Sequence, residues 1–122
     1  MAAIKDITKK ALDNTYFRQV LDTGKYTQVV IMSIPKGGEI GEEVHPDTDQ
    51  VLFCVAGEGK TVLDGAEEPF LKNDLVLVKA GTKHNFINTC QDDLKIITSY
   101  SPPHHPEGTI HKSKKEADKA EY

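Results

Sequence analysis

Cysteine is scarce: 122 residues contain two, Cys54 and Cys90. They are too few for a disulfide framework and too far apart for a Cys-type zinc signature. Cys54 falls inside the apolar run Val51-Leu52-Phe53-Cys54-Val55, where a thiol packs as a small hydrophobe and no activating neighbour accompanies it. No apolar stretch approaches the roughly 20 residues that a membrane-spanning helix requires. The opening segment, Met1 to Lys10, alternates apolar and charged side chains and lacks the apolar centre of a secretory leader. A cytoplasmic setting without a membrane partner is therefore expected. Concentrated positive charge is also lacking: formal net charge is −4 and the basic residues are dispersed outside the C-terminal tail. Nucleic acid is not an expected partner, because displacing its counterions takes a positive field. Arginine is nearly absent, with Arg18 standing alone among 15 basic residues.

What is present is an ordinary composition, 38% hydrophobic and 28% charged, in a chain long enough to bury one core without staples. Short segments rich in β-branched residues recur between turn-forming clusters. Tyr26 to Ile34, Val51 to Ala56, Lys60 to Asp64, Asp74 to Val78, Asn85 to Asn88 and Leu94 to Tyr100 read as strands. Gly37-Gly38, Gly57-Glu58-Gly59, Asp64-Gly65, Lys72-Asn73-Asp74 and Ala80-Gly81-Thr82 punctuate them. Asp64-Gly65 is the best tight-hairpin candidate, since both residues tolerate positive φ. Phe17, Arg18 and Val20 fall on an earlier strand, and Ile7 to Asn14 reads as a short helix capped by Asp6 or Thr8. Lys112 to Tyr122 reads as a frayed helix or a disordered tail. Many short strands without long amphipathic helices between them indicate an all-β sandwich or barrel.

Two stretches carry the chemistry. The first is Gly37-x5-Glu43-Val44-His45-x4-Gln50-x6-Gly57, and the second is Asn73-x5-Lys79-Ala80-Gly81-x2-His84-x3-Asn88. Their spacing resembles the two motifs of the cupin family, G-x5-H-x-H-x4-E-x6-G and G-x5-P-x-G-x2-H-x3-N. Glu43 stands in place of the first histidine and Gln50 in place of the glutamate; Asn73 and Lys79 replace a glycine and a proline. The resemblance covers about half of the chain and is similar to the small single-domain cupins grouped as mannose-6-phosphate-isomerase-like. It implies a cupin jelly-roll β-barrel holding one divalent metal through Glu43, His45, Gln50 and His84. It also implies a homodimer paired through exposed strands. On that frame 1–25 form an N-terminal arm with a short helix and the first strand, 26–101 the barrel domain, and 102–122 an extended C-terminal arm and charged tail.

Strand alternation bears on the donor set. Glu43 and His45 are two apart and share a face, whereas Asp49 and Gln50 point to opposite faces, so only one of that pair turns inward. The motif count selects Gln50. The substitutions keep one formal negative charge, with the carboxylate moved from the end of the first motif to its start. Two oxygen and two nitrogen donors suit Fe(II), Mn(II), Ni(II), Co(II) or Zn(II), and the lack of sulfur disfavours Cu(I). Asn88 is assigned a structural task, bonding backbone groups between strands.

The remaining candidates have two readings each. Pro102-Pro103-His104-His105-Pro106 and His111 either drape over the barrel mouth, or belong to an exposed arm that packs on a partner subunit; the second is preferred. Arg18 is either an anion anchor or a surface charge, again with the second preferred. Tyr26 and Tyr100 are expected to pack in the core. The expected function is that of an enzyme of dioxygenase or isomerase type acting on a small oxygen-rich molecule in the barrel. Its rival is a non-catalytic module capturing a sugar or an organic acid.

Overall fold

The computed structural model describes residues 3–120. Met1, Ala2, Glu121 and Tyr122 lie outside the described residues, and with them the two ends of the expected arm and tail. In chain order the elements are α1 (Ile7–Asp13), β1 (Arg18–Thr23), β2 (Gln28–Ile34), β3 (Asp49–Ala56) and β4 (Glu58–Leu63). There follow β5 (Ala66–Leu71), β6 (Leu75–Val78), β7 (His84–Asn88), β8 (Leu94–Ser101), β9 (Ile110–His111) and α2 (Lys114–Asp118). The strands form two sheets, ordered β6-β3-β8-β2-β1-β9 and β5-β4-β7. Every pairing is antiparallel. This is the all-β architecture that the many short strands predict, in the jelly-roll form that the cupin resemblance implies.

The inner faces supply the main core, in which Phe17, Val30, Met32, Leu52, Phe70, Phe86, Leu94 and Ile96 pack together. A second, smaller cluster explains why β2 reads as an almost unbroken apolar run. Helix α1 lies on the outer face of the large sheet, and Ala11 packs there with Ile31 and Val55. Strand β2 is thus covered on both sides, and alternation is lost. The Asp64-Gly65 turn forms as its residues dictate, with φ of 49° and 84° between the paired residues Leu63 and Ala66. Asn73, where the family pattern has glycine, adopts φ 75°; asparagine is among the few residues that enter the left-handed region readily. Gly59 is required for space, since a Cβ there would meet the Ile87 carbonyl oxygen at 2.3 Å.

Several local expectations need correction. Tyr26 is 72% exposed and precedes its strand, which begins at Gln28. It sits in the Gly24–Thr27 turn instead of the core. Helix α1 stops at Asp13, where the Asn14 side chain reaches forward to the Tyr16 backbone, donating to its carbonyl at 2.9 Å and accepting from its amide at 3.0 Å. Asp6 holds the N-cap position in a left-handed conformation without a side-chain cap bond. Strand β5 escapes the reading altogether. Of Ala66-Glu67-Glu68-Pro69-Phe70-Leu71, Phe70 alone is buried, which is the composition of a sheet edge, where acids and proline are tolerated.

The interior is graded from apolar to polar. Tyr100 of β8 pairs with Gln28 on one side and Gln50 on the other. Side chains of paired residues share a face, so these three form a buried polar row across the sheet. The parallel row two residues deeper holds Val30, Thr98 and Leu52. The polar row marks the end of the barrel at which the two motifs meet.

Candidate metal and ligand site

Glu43 and His84 exchange backbone hydrogen bonds of 2.9 Å in both directions, forming an isolated bridge between the two motifs. That bridge sets the His45 ring 5.1 Å from the His84 ring, centroid to centroid. His45 Nε2 lies 3.8 Å from Glu43 Oε2, and its ring centroid is 6.1 Å from that of Tyr100, the cross-strand neighbour of Gln50. All four expected donors therefore border one end of the barrel. Asp49, the competitor of Gln50, is exposed and accepts a bond from the Ala80 amide at 2.8 Å. Alternation separates the two as predicted.

The donor chemistry is well prepared. His84 Nδ1 lies 2.9 Å from the Thr82 carbonyl oxygen. A carbonyl only accepts, so Nδ1 is the donor in this bond, and the ring is oriented with Nε2 as the nitrogen not engaged by it. Burial first, then the charges of His104, His84 and Arg18, lower the pKa of His45 to about 4. Its imidazole is neutral at neutral pH, the form that binds metals. Gln50 donates its amide to Thr98 Oγ1 at 3.0 Å, while its carbonyl oxygen Oε1 is buried without a partner. An acceptor left in that state costs desolvation energy unless a donor or cation meets it. The spacing is looser than the chemistry. Among the described residues, no three acidic, imidazole or thiol side chains are gathered tightly enough to hold an ion as they stand.

The C-terminal arm covers this end of the barrel. Gln28 fastens it: Nε2 donates to the His105 carbonyl at 2.7 Å, and Oε1 accepts from the backbone amides of His104 and His105 at 3.3 and 3.1 Å. The His104 ring consequently lies 4.3 Å from that of His45 and stacks on Tyr100 at 5.7 Å. His105 meets Tyr100 edge-on at 5.0 Å, and both His105 and His111 are buried. The preference for an exposed arm is overturned, because a buried glutamine ties this segment to its own barrel. Burial lowers the pKa of His104, His105 and His111.

Arg18 is likewise misjudged as a surface charge, being only 6% exposed. Its register opposite His111 brings Nη1 within 3.2 Å of His111 Nδ1. Burial pushes the Tyr100 phenol up, opposed by the Arg18 charge and by side-chain hydrogen bonding from Arg18 and Gln50. A cleft of about 460 Å³ opens between α2 and the Glu39–Glu43 segment, with Arg18, Glu43, His105 and Lys114 among its walls. Sequence reasoning did not place Gln28 or His104 at the site. The proline-flanked histidine pair was the available signal; for Gln28 there was none beyond a polar residue at the start of an apolar strand. Asn88 performs its expected task, donating to the carbonyls of Ile34 and Asp92 at 2.9 and 2.8 Å and accepting from the Cys90 amide at 2.9 Å.

An antiparallel jelly roll whose two motifs meet at one polar end defines a cupin-type barrel. The chain belongs to the cupin family, with residues 30–100 matching the Cupin domain model. It is 39% identical over 124 residues to the uncharacterized protein YrkC of Bacillus subtilis (strain 168), covering 97% of this chain and 67% of that relative. A crystal structure from Bacillus halodurans superposes with a TM-score of 0.96 at 36% identity, covering 98% of this chain and 96% of that one. An RmlC-like cupin from Shewanella frigidimarina matches with a TM-score of 0.65 at 25% identity, over 72% of this chain and 77% of that one. Among the described residues, no helix is long and apolar enough to cross a membrane.

Proposed function

We propose that this cupin is a metalloprotein that takes one divalent ion (Fe, Mn, Ni, Co or Zn) on Glu43, His45, Gln50 and His84. We further propose that it acts in the cytoplasm, as a homodimer, on a small oxygen-rich molecule. The observation that carries the reading is the buried, partnerless Oε1 of Gln50 on the polar row beside Tyr100, near two imidazoles. The ring orientation of His84, held by its Nδ1 bond to the Thr82 carbonyl, and the neutral His45 support it. Such an ion supplies either dioxygen activation or Lewis-acid polarisation of a carbonyl, the isomerase-type alternative. The chain's own residues do the remainder. Tyr100 and the arm histidines exclude water from the donor end, Gln28 holds the arm in place, and the cleft beside Glu43 is the route for a ligand. Two free thiols, Cys54 and Cys90, accord with a reducing compartment.

A second reading, non-catalytic capture of a sugar or organic acid, draws on one observation. The His104 ring, 4.3 Å from His45, caps the donors more closely than an enzyme needing open coordination positions would favour. Elemental analysis of untagged protein tests the first reading. Wild-type protein is expected to carry close to one equivalent of a divalent metal and His84→Ala little, with circular dichroism unchanged. Full metal occupancy in His84→Ala overturns the donor assignment. Bound metal without turnover on small diketones or sugar phosphates moves the conclusion to capture.

A further inference from the structure

Among the described residues, Arg18 is a buried charge whose hydrogen-bonding capacity is only partly met. It is a permanent cation on β1, buried, and among the described residues no carboxylate lies within ion-pair distance of it. One nitrogen, Nη1, meets the ring of His111 at 3.2 Å, side-chain hydrogen bonding also reaches the Tyr100 phenol, and Nε is buried with no hydrogen-bond partner. Its other titratable neighbours, His45, His104 and His105, are imidazoles that its charge keeps neutral after burial has already done so. A buried guanidinium without a counter-anion is a costly arrangement that proteins seldom keep. Arg18 also lines the cleft of about 460 Å³ that runs in past Glu43, so an anion has a way in.

We propose that this cleft is a binding site for the carboxylate of a small organic acid, held by Arg18 beside the Glu43–His45–His84 end of the barrel. A carboxylate suits the unmet Nε–H of the guanidinium, whose donors lie in a planar fork. The rim narrows the choice of anion. Glu39, Glu42, Glu43 and Asp118 border the cleft, and the one lysine there, Lys114, is already bonded to Asp118 at 2.7 Å. That acidic rim repels a phosphate dianion more than a monocarboxylate. Tyr100, flanked by Arg18 and Gln50, joins the anchor to the donor end, so an acid held at Arg18 presents its remaining atoms there. A small organic acid is thereby the ligand class of the proposed metal site, and any reaction of the bound acid rests on that metal-site reading; capture by Arg18 itself needs no metal.

Because Arg18 is the only arginine, the chain has one arginine Nε–H resonance, and nitrogen-15 NMR reads the proposed contact directly. The probes are acetate, pyruvate and benzoate, their primary amides, and inorganic phosphate, titrated into chelator-treated full-length protein. A saturable shift of that resonance with the carboxylates, absent with the amides and weaker with phosphate, is expected. Arg18→Gln should lose carboxylate affinity on the order of thirtyfold or more in calorimetry, as for truncation of a buried charge pair. A resonance unmoved by every carboxylate, or moved equally by amides or by phosphate, overturns the proposal. Since the protein is metal-free, failure to load metal leaves this result standing. Metal loading without a carboxylate response sinks the carboxylate site alone.

Discussion

Gln50 stands where the cupin pattern has a glutamate, and its surroundings make the reverse exchange informative. Its amide is engaged by Thr98 while Oε1 is unmet, so Gln50→Glu adds a negative charge next to Oε1 with little change of shape. If an ion sits there, the added carboxylate tightens divalent-metal binding or leaves it unchanged. Without an ion the variant buries an unpaired carboxylate, which destabilises a fold by several kcal/mol. Competition with a fluorescent chelator, alongside urea denaturation, separates the cases. Sharply weaker metal binding counts against Gln50 as a donor. The choice of Gln50 over Asp49 was readable from the sequence because strand alternation turns only one of the pair inward and the motif count selects Gln50. The burial of Arg18 and the placement of His104 were not, because they depend on β9 and the arm returning through contacts that span 93 and 76 residues.

The elements differ in legibility for the same reason. Strands β3, β7 and β8 announce themselves because one face is buried and the other is not. Helix α1 was placed almost to the residue, with local side-chain bonding fixing its end. Strand β5 and the two-residue β9 owe their existence to the edges they pair with, and nothing in their own composition specifies it. Strand β6 raises a further matter. It ends the large sheet, and Leu75 and Leu77 are 64% and 53% exposed. An edge with unpaired backbone groups and bare leucines is open to pairing with another strand, which places the proposed dimer contact at β6. Light scattering after size exclusion should give a dimer for wild-type protein and a monomer for Leu75→Lys/Leu77→Lys. A monomeric wild type at micromolar concentration refutes the dimer.

At the scale of the whole molecule, the concentration of buried imidazoles at one end makes folding a titratable event. His45 is lowered from 6.5 to about 4, and His104, His105 and His111 are lowered too, burial being the first cause for each. Groups with depressed folded pKa values take up protons in the unfolded chain before the folded one. The unfolded state thus binds more protons below the ordinary histidine value, and stability rises with pH in that range. The contribution is complete above about pH 6.5 and is lost as the pH falls toward that of the folded cluster. Most carboxylates titrate below this window, so losses between about pH 7 and pH 5 report the imidazoles. Metal-free protein is therefore expected to melt several degrees lower at about pH 5 than at about pH 7.5. The arm is the element to loosen first, since His104 and His105 carry it and Gln28 fastens their backbone to the sheet. Hydrogen exchange across 102–111 should accelerate ahead of exchange in β8. A melting temperature flat across that interval would mean the cluster meets protons as readily folded as unfolded, and the barrel end would then be wetter than its packing implies.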